Sequence, residues 1–186
     1  MRNKSRIAGF KARNGFTLIE LIVVITVIAI LSTIGVVSFV GYSRAQTLNQ
    51  AAIDLTQTLN TAESLAASQP KTLNMNGITL TQCQNQSLSG YGVQISADQQ
   101  AYSLYIRCVS NTGIPTSYTD PKLQTNLPKD VSFDSTTNVT DVFFPVLSGG
   151  IISDGDSIVL KIYDGINSGY ITKKISISQG IISVSQ

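Results

Sequence analysis

The sequence contains no histidine and no tryptophan, and only 13% of its 186 residues are charged. The absence of histidine excludes Ser-His-Asp and Cys-His catalysis and most zinc sites. The sequence also has no glycine-rich phosphate loop and no pair of carboxylates with a plausible base. An enzymatic function therefore has no candidate site, and no cofactor is expected.

Charge is distributed unevenly along the chain. No acidic residue precedes Gly15, whereas five of the thirteen basic residues do: Arg2, Lys4, Arg6, Lys11 and Arg13. From Phe16 onward, eight basic residues face eleven acidic ones, which gives the remaining body a net charge of −3. A nucleic-acid binder would concentrate lysine and arginine on one face, so nucleic acid is an unexpected partner.

Residues 16–40 are nearly all apolar, and residues 21–31 carry no charge. As a helix this segment would be roughly 37 Å long, enough to cross the ~30 Å hydrocarbon core of a bilayer. The basic residues before it place that end in the cytoplasm. The sequence thus predicts a single-pass inner-membrane protein, in contact with lipid, whose body from about Arg44 lies outside the cytoplasm.

An ordinary secretory signal peptide is the alternative interpretation of this segment. Signal peptides have an apolar region of about 7–15 residues, and this one is longer. Signal peptides also rarely tolerate an acid near the start of that region, where this chain has Glu20.

Glu20 is the most informative residue of the chain. Placing a carboxylate in hydrocarbon costs on the order of 3 kcal/mol of free energy, so such a residue is expected to have a cationic partner or a function. No lysine or arginine lies within the apolar run, and the nearest candidate cation is a new amino terminus at Phe16, if the chain were cut there. That amine could belong to the same chain, one helical turn away, or to a neighbouring copy. The neighbouring copy is favoured, because helices packed with a stagger would neutralise both charges between subunits. The alternative is a glutamate that reaches back to the membrane interface.

Residues 14–31, NGFTLIELIVVITVIAIL, resemble the N-terminus of type IV prepilins and of type II secretion pseudopilins. The matching features are a short basic leader ending in Gly15, then Phe16, Thr17-Leu18-Ile19 and the acid Glu20. The resemblance implies that a prepilin peptidase cuts between Gly15 and Phe16 and methylates the Phe16 amine. It also implies that Glu20 pairs with that amine of an adjacent subunit during filament assembly.

The next stretch, residues 38–71, is similar to the H-type minor pseudopilins of type II secretion and their fimbrial T-type relatives. These combine such a helix with a mostly β domain. The resemblance implies other pilin or pseudopilin subunits and an inner-membrane assembly platform, driven by a separate ATPase, as partners. Many relatives carry a helix-kinking proline where this chain has Val37.

Beyond the apolar run, small and apolar residues recur at intervals of three and four, which indicates one face of a helix; they are Leu48, Ala52, Leu55, Leu59, Ala62 and Ala66. Pro70 blocks continuation, so one helix is expected from about Phe16 to Ser68. Two helices broken near Gly41 are the alternative. The predicted divisions are a leader at 1–15, a transmembrane and assembly helix at 16–41, an amphipathic half at 42–69 and a β-domain at 70–186.

From Leu73 the pattern changes to alternation and β-branched residues. The candidate strands are Gly77–Gln82, Gly92–Ser96, Tyr102–Val109, Val131–Phe133, Val142–Val146, Ser157–Tyr163, Gly169–Ser178 and Ile181–Ser185. Turns are expected at 89–90, 97–100, 148–150, 154–156 and 179–180, and such short links favour antiparallel pairing. Residues 111–130, with three prolines, are predicted to form a long surface loop, either a contact segment or a passive connection. The predicted fold class is α+β, with the long helix packed against an antiparallel, β-sandwich-like domain.

The remaining candidate sites lie in this β-domain. Cys83 and Cys108 are expected to form a disulfide, because two cysteines in an exported region most simply pair. Asp154, Asp156 and Asp164 lie near glycines, as oxygen ligands of Ca²⁺ can, but their spacing lacks a calcium-loop register and solvated turns are the favoured interpretation.

The sequence therefore predicts a structural subunit that grows into a filament through its helix. Two functions of other classes compete with it: a filament-tip subunit that binds DNA or a surface ligand, and a membrane-tethered enzyme. A pilus, a secretion pseudopilus and a DNA-uptake pseudopilus remain open, as does whether the subunit is abundant or rare, although the likeness to minor pseudopilins favours rare.

Overall fold

The computed structural model describes residues 15–69, 72–75, 78–81, 83, 86–165, 169–178 and 181–185. Most of the predicted leader, Pro70 and the turn expected at 179–180 lie outside these residues. The chain divides into two compact units, one ending at Phe39 and one beginning at Val40.

A single helix, α1, spans Leu18–Ser68 and contains 51 residues. It begins two residues later than expected and ends as expected. Gln69 follows with a left-handed backbone (φ 53°), and its amide donates to the Leu65 carbonyl at 2.9 Å. This is a helix stop of the left-handed type, in which the residue after the last turn satisfies one of the free carbonyls. Since α1 includes Gly41, the alternative of two helices broken there is wrong.

In the first unit, the described apolar side chains of α1 are exposed around the whole helix circumference, from Leu18 to Leu31. Two polar side chains in this part of the helix bond locally, because Thr26 Oγ1 donates to Val23 O at 2.8 Å and Ser32 Oγ to Ile28 O at 2.7 Å. Hydroxyls bonded to the preceding turn leave the helix surface apolar. Over the residues that the structure describes, no helix is both long enough and apolar enough to cross a membrane.

In the second unit, α1 buries one stripe of its surface. All six residues of the predicted stripe are buried, and Ala51 joins them. The intervals of three and four place these side chains on one face, as the sequence pattern predicted.

Eleven strands are described in the β-domain. They are β1 (Thr72–Met75), β2 (Ile78–Thr81), β3 (Ser87–Ile95), β4 (Ala101–Val109), β5 (Pro115–Asn126), β6 (Val131–Phe133), β7 (Asp141–Pro145), β8 (Ile152–Ser153), β9 (Ser157–Tyr163), β10 (Tyr170–Ser178) and β11 (Ile181–Ser185). They form a hairpin of β1 and β2, a five-stranded sheet in the order β5-β4-β3-β7-β8, and a four-stranded sheet in the order β11-β10-β9-β6. The described strand pairs are all antiparallel.

One hydrophobic core joins the helix stripe to both larger sheets. β4 contributes Leu104 and Ile106, and β9 contributes Leu160 and Ile162, at alternate positions as expected for strands with one face inward. The α+β prediction of a helix packed on antiparallel sheets is therefore confirmed.

Two predictions about the β-domain were wrong. Residues 111–130 are not a long loop, because Pro115–Asn126 forms β5 and pairs with β4. Its prolines are tolerated since β5 is an edge strand, and the register is interrupted between Thr119 and Gln124. The turn expected at Ser89-Gly90 is instead an irregularity within β3, between Leu88 and Gly90.

Candidate processing and assembly site

The start of α1 holds the residues that the sequence singles out. Gly15, Phe16 and Thr17 precede the helix, and Thr17 occupies its N-cap position. The amide of Glu20 donates to Thr17 Oγ1 at 3.3 Å, and the amide of Leu21 donates to Thr17 O at 3.2 Å. A threonine hydroxyl at this position satisfies one of the amides that the first turn leaves free.

Glu20 lies in this first turn with its side chain exposed. A carboxylate there is favoured by the partial positive charge of the helix N-terminus. The Thr17-x-x-Glu20 spacing is also that of a capping box, a signal that can be found in the sequence itself. No salt bridge joins Glu20 to any residue that the structure describes.

Apolar side chains surround Glu20 along the helix. Its neighbours Ile19 and Leu21 are exposed by 67% and 58%, and Phe16 by 78%. The arrangement is one acid on an otherwise apolar surface that the described part of the chain leaves uncovered. Such a surface can pack against similar helices, and the acid can accept one cationic group from outside the chain.

A family model for the prokaryotic N-terminal methylation motif matches residues 10–36. This match supports the resemblance of the N-terminus to type IV prepilins and pseudopilins. The prepilin motif implies processing by a prepilin peptidase, anchoring in the inner membrane through the N-terminal helix and assembly with other pilins. Proteins of this family are structural and generally not enzymes.

The match covers residues 10–36 alone. It does not confirm the predicted similarity of residues 38–71 to the H-type subunits. No curated protein and no solved structure matches the chain.

The two cysteines form a disulfide, as predicted. Cys83 and Cys108 have their α-carbons 5.5 Å apart, and both are buried. The bond ties the segment before β3 to the end of β4, within the hydrophobic core.

Asp154 and Asp156 act as loop anchors. Asp154 Oδ1 accepts the amides of Thr140 at 2.8 Å and Asp141 at 3.1 Å, and the Thr140 hydroxyl donates to Asp154 Oδ2. Burial alone would raise the pKa of Asp154, but these hydrogen bonds outweigh it and lower the pKa. Asp156 Oδ1 accepts from Asn138 Nδ2 at 2.7 Å, which lowers the pKa of Asp156 in the same way.

Asp164 does not join the other two aspartates. It follows β9, whereas Asp154 and Asp156 precede it, and a strand of 7 residues separates their positions by roughly 20 Å. No group of three His, Cys, Asp or Glu side chains that could hold a metal occurs among the described residues. What the structure does show of Asp154 and Asp156 is that they accept hydrogen bonds from the segment Asn138–Asp141.

The outward face of the five-stranded sheet carries a polar and aromatic cluster that was not expected from the sequence. We define this outer cluster as Tyr105, Arg107, Asp141 and Phe143. The Tyr105 and Phe143 rings stack with centroids 6.5 Å apart, and the Arg107 guanidinium lies 4.3 Å from the centre of the Phe143 ring. Asp141 accepts from Tyr105 Oη at 2.7 Å and from Arg107 Nη2 at 3.1 Å.

The outer cluster is internally satisfied. Burial and the bond to Asp141 raise the pKa of Tyr105, so the phenol stays protonated and donates. Arg107 and Asp141, the two charged residues of the cluster, pair with each other at 3.1 Å. Only the register of β3, β4 and β7 brings these residues together, and no local sequence signal predicts that register.

Proposed function

We propose that the chain is a structural subunit of a type IV pilus or a type II secretion pseudopilus. It is inserted as a single-pass precursor, cut between Gly15 and Phe16, methylated at the Phe16 amine and assembled through α1. The observation that carries this proposal is the position of Glu20. It lies inside the methylation motif, in the first turn of an exposed apolar helix, and it forms no ion pair with the described residues. We further propose, from the resemblance to H-type subunits, that it is a minor subunit.

Assembly follows from the chemistry at this helix end. Cleavage creates a cation at Phe16, and the apolar surface gives both charges a low-dielectric surrounding in which pairing is strong. An amine from the adjacent subunit neutralises Glu20 and fixes the axial position of one helix against the next. Repetition of this head-to-tail contact gives an open helical filament.

The proposal is tested by replacing Glu20. We expect Glu20→Ala to leave the cleaved chain in the membrane and to abolish its recovery in sheared filaments or its crosslinking to other subunits. Glu63→Ala is the matched control, because Glu63 is an exposed acid on the same helix in the second unit. Normal assembly of the Glu20→Ala chain would refute the role given to this residue.

Processing has its own test. Mass spectrometry of the mature N-terminus should find a methylated Phe16, and Gly15→Leu should retain the leader. A mature chain that begins at any other residue would overturn the proposed cleavage. Protease protection of the intact precursor in membrane vesicles tests the single-pass orientation separately, since only the body after Arg44 should be accessible from the extracytoplasmic side.

A further inference from the structure

Three of the seven tyrosines of this chain are exposed, and two of these three are in contact. Of seven tyrosines, four are buried or packed against the core: Tyr91, Tyr102, Tyr105 and Tyr118. The other three, Tyr42, Tyr163 and Tyr170, are exposed by 64%, 44% and 64%. Tyr163 and Tyr170 meet edge to face with ring centroids 5.7 Å apart.

Arg44 joins this aromatic pair to the helix. Its Nη1 donates to the carbonyl of Tyr163 at 2.8 Å, and its guanidinium carbon lies 5.9 Å from the centre of the Tyr163 ring. The backbone at Gly165 approaches the guanidinium so closely that a β-carbon there would collide with it. The end of β9 is therefore fixed against the first turns of α1 in the second unit.

Tyr42, at the start of α1 in the second unit, and Lys173, on β10, line one shallow cavity together with Ala45, Gln46 and Asn49. We call the set Tyr42, Arg44, Tyr163, Tyr170 and Lys173 the tyrosine rim. Lys161 also approaches the Tyr170 ring, but its charge is paired with Asp134 at 3.1 Å.

The charge of the tyrosine rim differs in sign from that of the rest of the body. The rim contains two basic residues, Arg44 and Lys173, and one acid, Asp164, directly follows Tyr163 in sequence, so these residues together carry a net charge of +1. The body from Phe16 onward has a net charge of −3, so its other residues together carry −4.

The rim also contains residue types that are typical of a membrane surface. In sequence, Tyr42 follows the apolar run directly. Tyrosine and basic side chains concentrate where a membrane meets water, because an aromatic ring with one polar end fits the headgroup layer and cations attract anionic lipid.

We infer that the tyrosine rim seats the β-domain on the anionic phospholipid headgroups of the membrane that holds the subunit before assembly. This inference rests on the proposed function, since it requires the apolar run to lie in a bilayer. It adds a second membrane contact, which must be released when the subunit enters a filament.

The absence of tryptophan makes the inference directly testable. Tyr170→Trp places a single fluorophore in the rim. Leu147→Trp is the control and places the fluorophore at an exposed residue far from the rim. Leu147 lines a cavity with Glu63, and Glu63 lies about 30 Å along α1 from Tyr42. Each full-length chain is reconstituted into phosphatidylcholine vesicles with and without phosphatidylglycerol, and a lipid carrying a headgroup nitroxide is the quencher.

We expect the nitroxide to quench the Tyr170→Trp chain several-fold more strongly than the Leu147→Trp chain. The difference should shrink without phosphatidylglycerol or when Arg44→Gln and Lys173→Gln are added. Equal quenching of the two chains, while both float with the vesicles, overturns the inference and leaves the proposed function intact. Equal quenching with and without phosphatidylglycerol overturns the preference for anionic lipid. Chains that fail to float with vesicles contradict the membrane anchoring itself.

Discussion

The ring of Tyr105 lies across the backbone of Gly92. The two residues are direct partners in the pairing of β3 with β4, and a β-carbon on Gly92 would overlap the Tyr105 ring. A β-carbon on Gly90 would overlap the carbonyl oxygen of Phe144 and the ring of Phe143, so both rings of the outer cluster lie close to glycines of β3. Glycine in a strand often marks such a close approach.

Gly92→Ala is therefore expected to destabilise the β-domain by about 1–3 kcal/mol, because the Tyr105 ring must leave its stacked position and its bond to Asp141. Denaturant unfolding in detergent measures the change. Gly150→Ala is the control, since a β-carbon at Gly150 meets no atom within 4 Å, and its effect should stay within about 0.5 kcal/mol. Equal effects at the two positions would contradict this packing.

The helix stripe offers a second test. Leu55 is fully buried in the hydrophobic core, and Leu55→Ala should cost about 2–5 kcal/mol of unfolding free energy through the cavity it leaves. Ile53, two residues away, is 38% exposed, and Ile53→Ala should cost far less. A comparable loss at both positions would mean that the helix does not pack on the sheets through this stripe.

The disulfide should contribute measurably to stability. Cys83 and Cys108 are separated by 25 positions, and closing a loop of that size restricts the unfolded chain by roughly 3–4 kcal/mol. The double variant Cys83→Ser, Cys108→Ser should unfold at lower denaturant than the oxidised chain. A reducing agent should shift the oxidised chain by the same amount and leave the double variant unchanged.

Asp134 predicts a specific acid sensitivity. Hydrogen bonds from the amide and hydroxyl of Thr136, together with the Lys161 ammonium, lower its pKa from 3.8 to about 2. Because the pKa of Asp134 is lower in the folded than in the unfolded chain, its carboxylate stabilises the fold. This contribution is complete above pH ~4 and is lost as the pH falls towards 2. The stability difference between the unaltered chain and Asp134→Asn, followed by denaturant midpoint, should shrink over that window. A difference that stays constant from about pH 5 to about pH 2.5 would contradict this assignment.

The parts of the fold that are determined locally were predictable from the sequence. The stripe from Leu48 to Ala66 repeats at helical intervals, and its burial follows directly from the pattern. The strand Ser157–Tyr163 is rich in β-branched and apolar residues, and its predicted and observed bounds agree. The roles assigned to Gly15, Phe16 and Glu20 stay predictions, and they too rest on the spacing of residues within one short segment.

Features that depend on neighbours in space were not predictable. The segment of β5 contains two prolines and no alternation, and it is a strand only because β4 offers it an edge to pair with. Arg107 and Asp141 are 34 residues apart, and their salt bridge exists only in the register of three adjacent strands. The anchoring role of Asp154 could not be distinguished from solvation or ligation, because the amides that it accepts, on Thr140 and Asp141, are distant in sequence.

The prolines of β5 affect how closely packed copies of the chain can interact. β5 forms an outer border of the five-stranded sheet, and neither Pro115 nor Pro121 has an amide hydrogen to offer to a strand laid beside it. Copies packed at high density, as in the filament proposed above, are thus discouraged from fusing their sheets side by side along this border.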